Sequence, residues 1–170
     1  MVEPNLKNAA YHEAGHVIAH IETEEEFREV TIIPTKDSQG NIYAAGEVVP
    51  LSETIDYPNY SNLITICFAG PCAEAKWRHC DFFNCCSFSE HGDGYRAYEL
   101  ISEGYATKSL DTPDGKLPKS IRAASRPFKH RAECLVNKRW KLINIVAQTL
   151  FERKSLTIKE IGVIVEKFYE

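Results

Sequence analysis

The chain has 170 residues, 44% apolar and 26% charged, the balance of a single folded globular domain rather than a disordered or low-complexity chain. A formal net charge of −4 gives no general argument for nucleic-acid binding, and no apolar run approaches the roughly 18 residues that cross a bilayer. Met1-Val2-Glu3-Pro4 lacks the basic and apolar regions of a secretory signal, so a cytoplasmic location is expected, with neither nucleic acid nor a membrane span among its partners.

From Asn5 to Ile21 the chain is free of Pro and spaces Leu6, Ala9, Ala10, Val17, Ile18 and Ile21 as a half-buried helix would. Within that helix lies His12-Glu13-Ala14-Gly15-His16. Histidines four apart share one helix face, about 6 Å along the axis, and can aim one imidazole nitrogen each at a single metal, with Glu13 beside them as a base. Gly15 costs the helix about 1 kcal/mol relative to Ala, a cost tolerated where another backbone or a metal site approaches closely. His20 extends the series by four and reads as a polar residue near the helix end.

The charged stretch from Glu22 to Glu29 gives way to Val30-Thr31-Ile32-Ile33-Pro34, a β-branched run that reads as a short strand ended by proline. Asp37, Ser38, Gly40 and Asn41 supply a turn, and Ile42 to Val49 returns as a second strand with Pro50 as its stop. Residues 60 to 77 carry Leu63, Ile64, Ile66, Cys67, Ala69, Ala73 and Trp77, a buried helix that Gly70-Pro71 could bend. Residues 78 to 92 read as a Cys-rich loop and 94 to 105 as a helix. After a polar connection with Pro113, Gly115 and Pro118 comes a last helical region, in which Leu135, Leu142, Ile143, Val146 and Leu150 form one amphipathic stripe. Thr157 to Phe168 closes the chain as a helix capped by Ser155 or Thr157, with Ile161, Ile164, Val165 and Phe168 inward.

The cysteines at 67, 72, 80, 85, 86 and 134 match no zinc-finger spacing, and without a secretory signal they read as reduced packing thiols. Cys80, Cys85 and Cys86 are the candidates for redox sensitivity. Lys129, His130, Arg131, Lys138, Arg139 and Lys141 make a basic stretch that a solvated helix face explains.

Three segments in order, Ala10-Tyr11-His12-Glu13-Ala14-Gly15-His16, Val30-Thr31-Ile32-Ile33-Pro34 and Phe68-Ala69-Gly70-Pro71-Cys72-Ala73-Glu74, resemble successive landmarks of the peptidase domain of the FtsH family, membrane-anchored ATP-dependent zinc proteases. In residues 140 to 164, Ala147, Leu150, Leu156, Thr157 and Ile161 are similar to that family's last two helices. The resemblance implies a mainly α (α+β) fold over 1–170, an FtsH-peptidase-like helical domain with a small β-sheet following the His-Glu-x-x-His helix.

The resemblance also implies a zinc metalloendopeptidase. Its cofactor is Zn2+, its metal ligands are His12, His16 and a downstream aspartate, and its base is Glu13, which takes a proton from a water acidified by the metal. Asp93, in Ser89-Glu90-His91-Gly92-Asp93-Gly94, falls in the place of that third ligand, with His91 and Glu90 as chemically competent rivals and a plain helix cap as the other role for Asp93. Glu74, in a helix otherwise rich in apolar residues, fits either an acceptor for a ligating imidazole N–H or an exposed helix position.

The expected substrate is a peptide or an unfolded protein. No Gly-x-x-x-x-Gly-Lys-Ser/Thr phosphate loop occurs, so an ATPase or adaptor would have to come from a separate chain. The competing function is a non-catalytic binding or regulatory module that keeps the fold, with or without the zinc.

Overall fold

The computed structural model describes residues 3–36, 42–50, 59–111 and 118–170. Among the described residues six α-helices and three strands follow in the order α1 (Glu3–Thr23), β1 (Phe27–Lys36), β2 (Ile42–Pro50), α2 (Tyr60–Arg78), α3 (Asp93–Ala106), α4 (Ile121–Lys138), α5 (Trp140–Arg153), β3 (Ser155–Thr157) and α6 (Ile158–Tyr169). The fold is therefore mainly α with one small antiparallel sheet of order β2-β1-β3. The turn read at Asp37, Ser38, Gly40 and Asn41 and the connection read at Pro113 and Gly115 lie outside the described residues.

α1 is the central element, touching α2, α5, β1 and β2. It is buried on all sides through its middle, from Ala10 to Ala19 except for the half-buried His12, and so differs from the half-buried helix that its apolar spacing suggests. The reason is the size of its side chains. Ala10, Ala14, Gly15 and Ala19 let neighbours close in, and a Cβ at Gly15 would lie 2.5 Å from the Ala69 carbonyl oxygen and 2.7 Å from the Ala73 Cβ. Gly15 thus marks the point where α1 and α2 touch backbone to backbone. One turn earlier Tyr11 stacks on Trp77 of the same α2 at 4.1 Å and donates its hydroxyl to Asn144 Oδ1 of α5 at 2.9 Å.

Pro34 does not end β1, which continues to Lys36. The Ile32 N–H points away from β2 to the Lys154 carbonyl, so the nitrogen two residues on, in Pro34, faces the same side. β3 pairs only with Glu29, Val30 and Thr31, leaving no ladder bond there for the missing N–H to break. β2 runs antiparallel along the other side of β1, Ile32 opposite Gly46 and Pro34 opposite Ala44.

Three readings from the sequence need refinement, and one short strand, β3, has no sequence signal. The amphipathic stripe from Leu135 to Leu150 belongs to two helices, α4 and α5, separated at Arg139 (φ −102°, ψ 13°). Nothing in the local residue types marks that break, because Lys138, Arg139 and Trp140 include no Gly or Pro. The Cys-rich loop contains a single 3-10 turn at Phe82–Asn84. β3 is three residues long, too short for an alternation pattern, and its last residue, Thr157, caps α6 in place of Ser155. A capping box completes that start, with the Thr157 N–H donating to Glu160 Oε2 at 2.8 Å.

Candidate metal centre

The helix face predicted from the four-residue spacing carries two imidazoles whose ring centres lie 4.9 Å apart. Each is oriented through Nδ1. The His16 Nδ1–H donates to the Ile66 carbonyl of α2 at 2.8 Å, and His12 Nδ1 lies 2.9 Å from Glu74 Oε2, also of α2. A carbonyl can only accept, so the His16 contact settles its tautomer and leaves Nε2 as the ligating atom. A carboxylate at His12 Nδ1 does the same for that ring and raises its basicity.

Both Nε2 atoms meet Asp93, which opens the first turn of α3. His12 Nε2 is 2.9 Å from Asp93 Oδ2 and His16 Nε2 is 3.4 Å from Asp93 Oδ1. Asp93 is not a plain helix cap: Gly92 holds the cap position, and the carboxylate is turned to the histidines. One ligand atom each from His12, His16 and Asp93 lies within 4.8 Å of the others, a group that could hold a metal ion. The other third-ligand candidates, Glu90 and His91, are exposed and stand outside that group, although His91 lines the rim of the cleft at φ 69°.

Electrostatics support the same grouping. Burial opposes a charge on His12, yet its hydrogen bonds to Asp93 and Glu74 push the imidazole up to about 10. Burial would raise the Asp93 carboxyl, but His16 and His12 beside it hold it well below the usual carboxylate range. Two carboxylates therefore concentrate negative charge on rings that share one point, and a cation placed there would displace protons.

Glu13 is buried, and burial raises its carboxyl against the pull of His16 and His12. It lies against β2: a Cβ at Gly46 would come within 2.4 Å of Glu13 Cγ and Oε1. Glu13, His12, His16 and Asp93 line one open cleft of about 340 Å³ with Gly46, Glu47 and Val48 of β2 and Ile66, Cys67, His91 and Gly92. A larger hollow of about 450 Å³ lies between α2 and α4, but its lining brings no such group of ligands together.

Glu74 is not an exposed helix residue; besides His12 it accepts a hydrogen bond from Arg78 Nη1 at 2.7 Å, and the pairing with His12 first, then with Arg78, holds its pKa down against the effect of burial. Two glycines of the site carry roles that spacing does not reveal. Gly70, read as a point where α2 could bend, leaves room for His16: a Cβ there would sit 2.2 Å from Nε2. Gly46 does the same for Glu13. A glycine inside an otherwise regular helix or strand is the one local signal of such an approach. His20 also lines this cleft but stands outside the ligand group, its Nδ1–H donating to the Glu25 carbonyl at 3.0 Å, and burial lowers its pKa to about 4. No protein-family model matches the chain, and no curated protein matches it significantly.

Proposed function

We propose that the protein is a zinc-dependent metallopeptidase of the FtsH-peptidase type, cleaving peptides or unfolded proteins. The observation that carries this reading is the meeting of His12 and His16 Nε2 with the Asp93 carboxylate beside a buried Glu13. A purely structural metal site has no need of the fourth group.

His12, His16 and Asp93 would hold the ion. Bound zinc would supply Lewis acidity toward a carbonyl and an acidified water. The protein's own part is positional and protonic. Glu74 and the Ile66 carbonyl keep the two rings in the tautomer whose Nε2 faces the ion. Glu13 Oε accepts the proton of the attacking water and returns it to the departing amine.

Among the described residues β2 pairs only with β1, and its Gly46, Glu47 and Val48 line the cleft. An extended substrate can add to that free side of the sheet, gaining backbone hydrogen bonds with little demand on side chains. Folded proteins do not offer such a strand. Their degradation would need unfolding force, supplied by a partner ATPase or adaptor.

Cleavage of an unfolded protein by the zinc-loaded wild type and by Glu13→Gln tests the proposal, since the variant keeps the shape of the side chain and loses the base.

A further inference from the structure

The six cysteines are all free and differ in how they can be reached. Cys72 and Cys86 are buried, and burial pushes the half-buried Cys67 up to about 12. Cys134 is exposed on α4, with Sγ 3.6 Å from His130 Nε2. Cys80 and Cys85 are distinct in being both half-buried and mutual neighbours, their sulfurs 3.4 Å apart.

Short-range structure sets that approach. α2 ends at His79 in the left-handed region (φ 52°), and the Cys80 N–H donates back to the Ala75 carbonyl at 3.1 Å. The Asp81 carboxylate accepts from the Phe83 N–H at 2.8 Å, starting the 3-10 turn that returns the chain. That turn closes with the Cys85 N–H on the Phe82 carbonyl at 3.0 Å. Arg78 Nη1 stands 3.6 Å from Cys85 Sγ and 2.7 Å from Glu74 Oε1, so this loop adjoins the residue that orients His12.

We infer that Cys80 and Cys85 form a redox-active dithiol site that closes reversibly to a disulfide when a peroxide reaches the loop. The sulfurs need only approach from contact to the bonded distance of about 2.05 Å, within a loop already folded back on itself. Burial and the neighbouring Cys80 sulfur push the Cys85 thiol up to about 12 against the pull of the Arg78 guanidinium, and first attack by either sulfur gives the same disulfide.

When Cys80 goes first, its thiolate attacks one oxygen of hydrogen peroxide and the O–O bond breaks. The departing hydroxide takes up the proton lost by Cys80 and leaves as water, and Cys80 becomes a sulfenic acid. Cys85 sulfur then displaces hydroxide from the Cys80 sulfur, and its own proton leaves with that hydroxide as a second water. Two thiols and one peroxide give one disulfide and two waters, with two electrons passing from sulfur to oxygen. A thiol reductant reverses the bond by exchange.

The test treats the full chain carrying Cys134→Ser with hydrogen peroxide, alkylates the free thiols and maps the peptides without reduction. No Lys or Arg lies between Cys80 and Cys85, so trypsin leaves both on one peptide and fragmentation assigns the bond. The expected result is the loss of two of the five remaining thiols, a Cys80–Cys85 peptide two hydrogens lighter and unalkylated at both sulfurs, and full recovery with dithiothreitol. Cys80→Ser and Cys85→Ser in the same background give no such peptide. Alkylation of both Cys80 and Cys85 after peroxide treatment, bonding of either to another cysteine instead, or failure of dithiothreitol to restore them overturns the inference; mapping in the Cys134→Ser chain needs neither serine variant at 80 or 85 to fold.

Discussion

His12 stands between two carboxylates, Glu74 at Nδ1 and Asp93 at Nε2, and the two contacts do different work. Asp93 competes for the position of an ion and would join it as a ligand. Glu74 acts only through the ring. Glu74→Gln is therefore expected to leave zinc stoichiometry unchanged while weakening affinity about 10- to 100-fold in a competitive chelator titration. Unchanged affinity would show that the ring needs no second carboxylate. Gly70→Ala places a methyl 2.2 Å from His16 Nε2, and the ring is tied to the Ile66 carbonyl on the same helix. The expected cost is about 1–3 kcal/mol in chemical denaturation together with loss of zinc binding; a variant as stable and as zinc-competent as the wild type would contradict the packing described.

At the scale of elements, the sequence shows α1 and its histidine face because a four-residue spacing is a local signal. Glu74 and Asp93 stand 62 and 81 positions from His12, and no periodicity links them to it. They become legible only through resemblance or through the packing of α2 and α3. The division between α4 and α5 at Arg139 is silent for a different reason: helix-forming residues continue across it, and tertiary packing of α5 on α1 decides the turn. Pro34 shows the converse, a strong local stop signal made harmless because β3 pairs only with Glu29, Val30 and Thr31 and no ladder bond to it falls at Pro34. The start of α6 was readable, since Thr157 and Glu160 form a capping box in sequence as in space. Thr157→Ala is expected to lower stability by about 1 kcal/mol, a drop of roughly 2–4 °C in Tm by calorimetry, without altering zinc affinity. A drop in zinc affinity of tenfold or more would tie α6 to the site and refute that separation.

For the whole molecule, stability in mild acid depends on His20. Burial lowers its pKa to about 4, below the 6.5 of an unconstrained histidine, so between these values the unfolded chain binds a proton that the native state refuses. Stability from this group is thus complete above about pH 6.5 and declines as pH falls toward 4, by on the order of 2–3 kcal/mol. In urea denaturation over that window, His20→Gln is expected to lose less stability than the wild type; parallel pH profiles would exclude His20 as the cause.

Under the proposed function, Glu13 works as a base in the open cleft at the junction of α1, α2, α3 and the sheet, next to an ion held by His12, His16 and Asp93. Hydrolysis of unfolded casein, measured at equal zinc content for wild type and Glu13→Gln, tests it most directly. The expected result is steady zinc-dependent cleavage by the wild type and a rate about 10²–10⁴-fold lower for the variant. Zinc bound equally by both with equal cleavage, or with no cleavage by either, would contradict it.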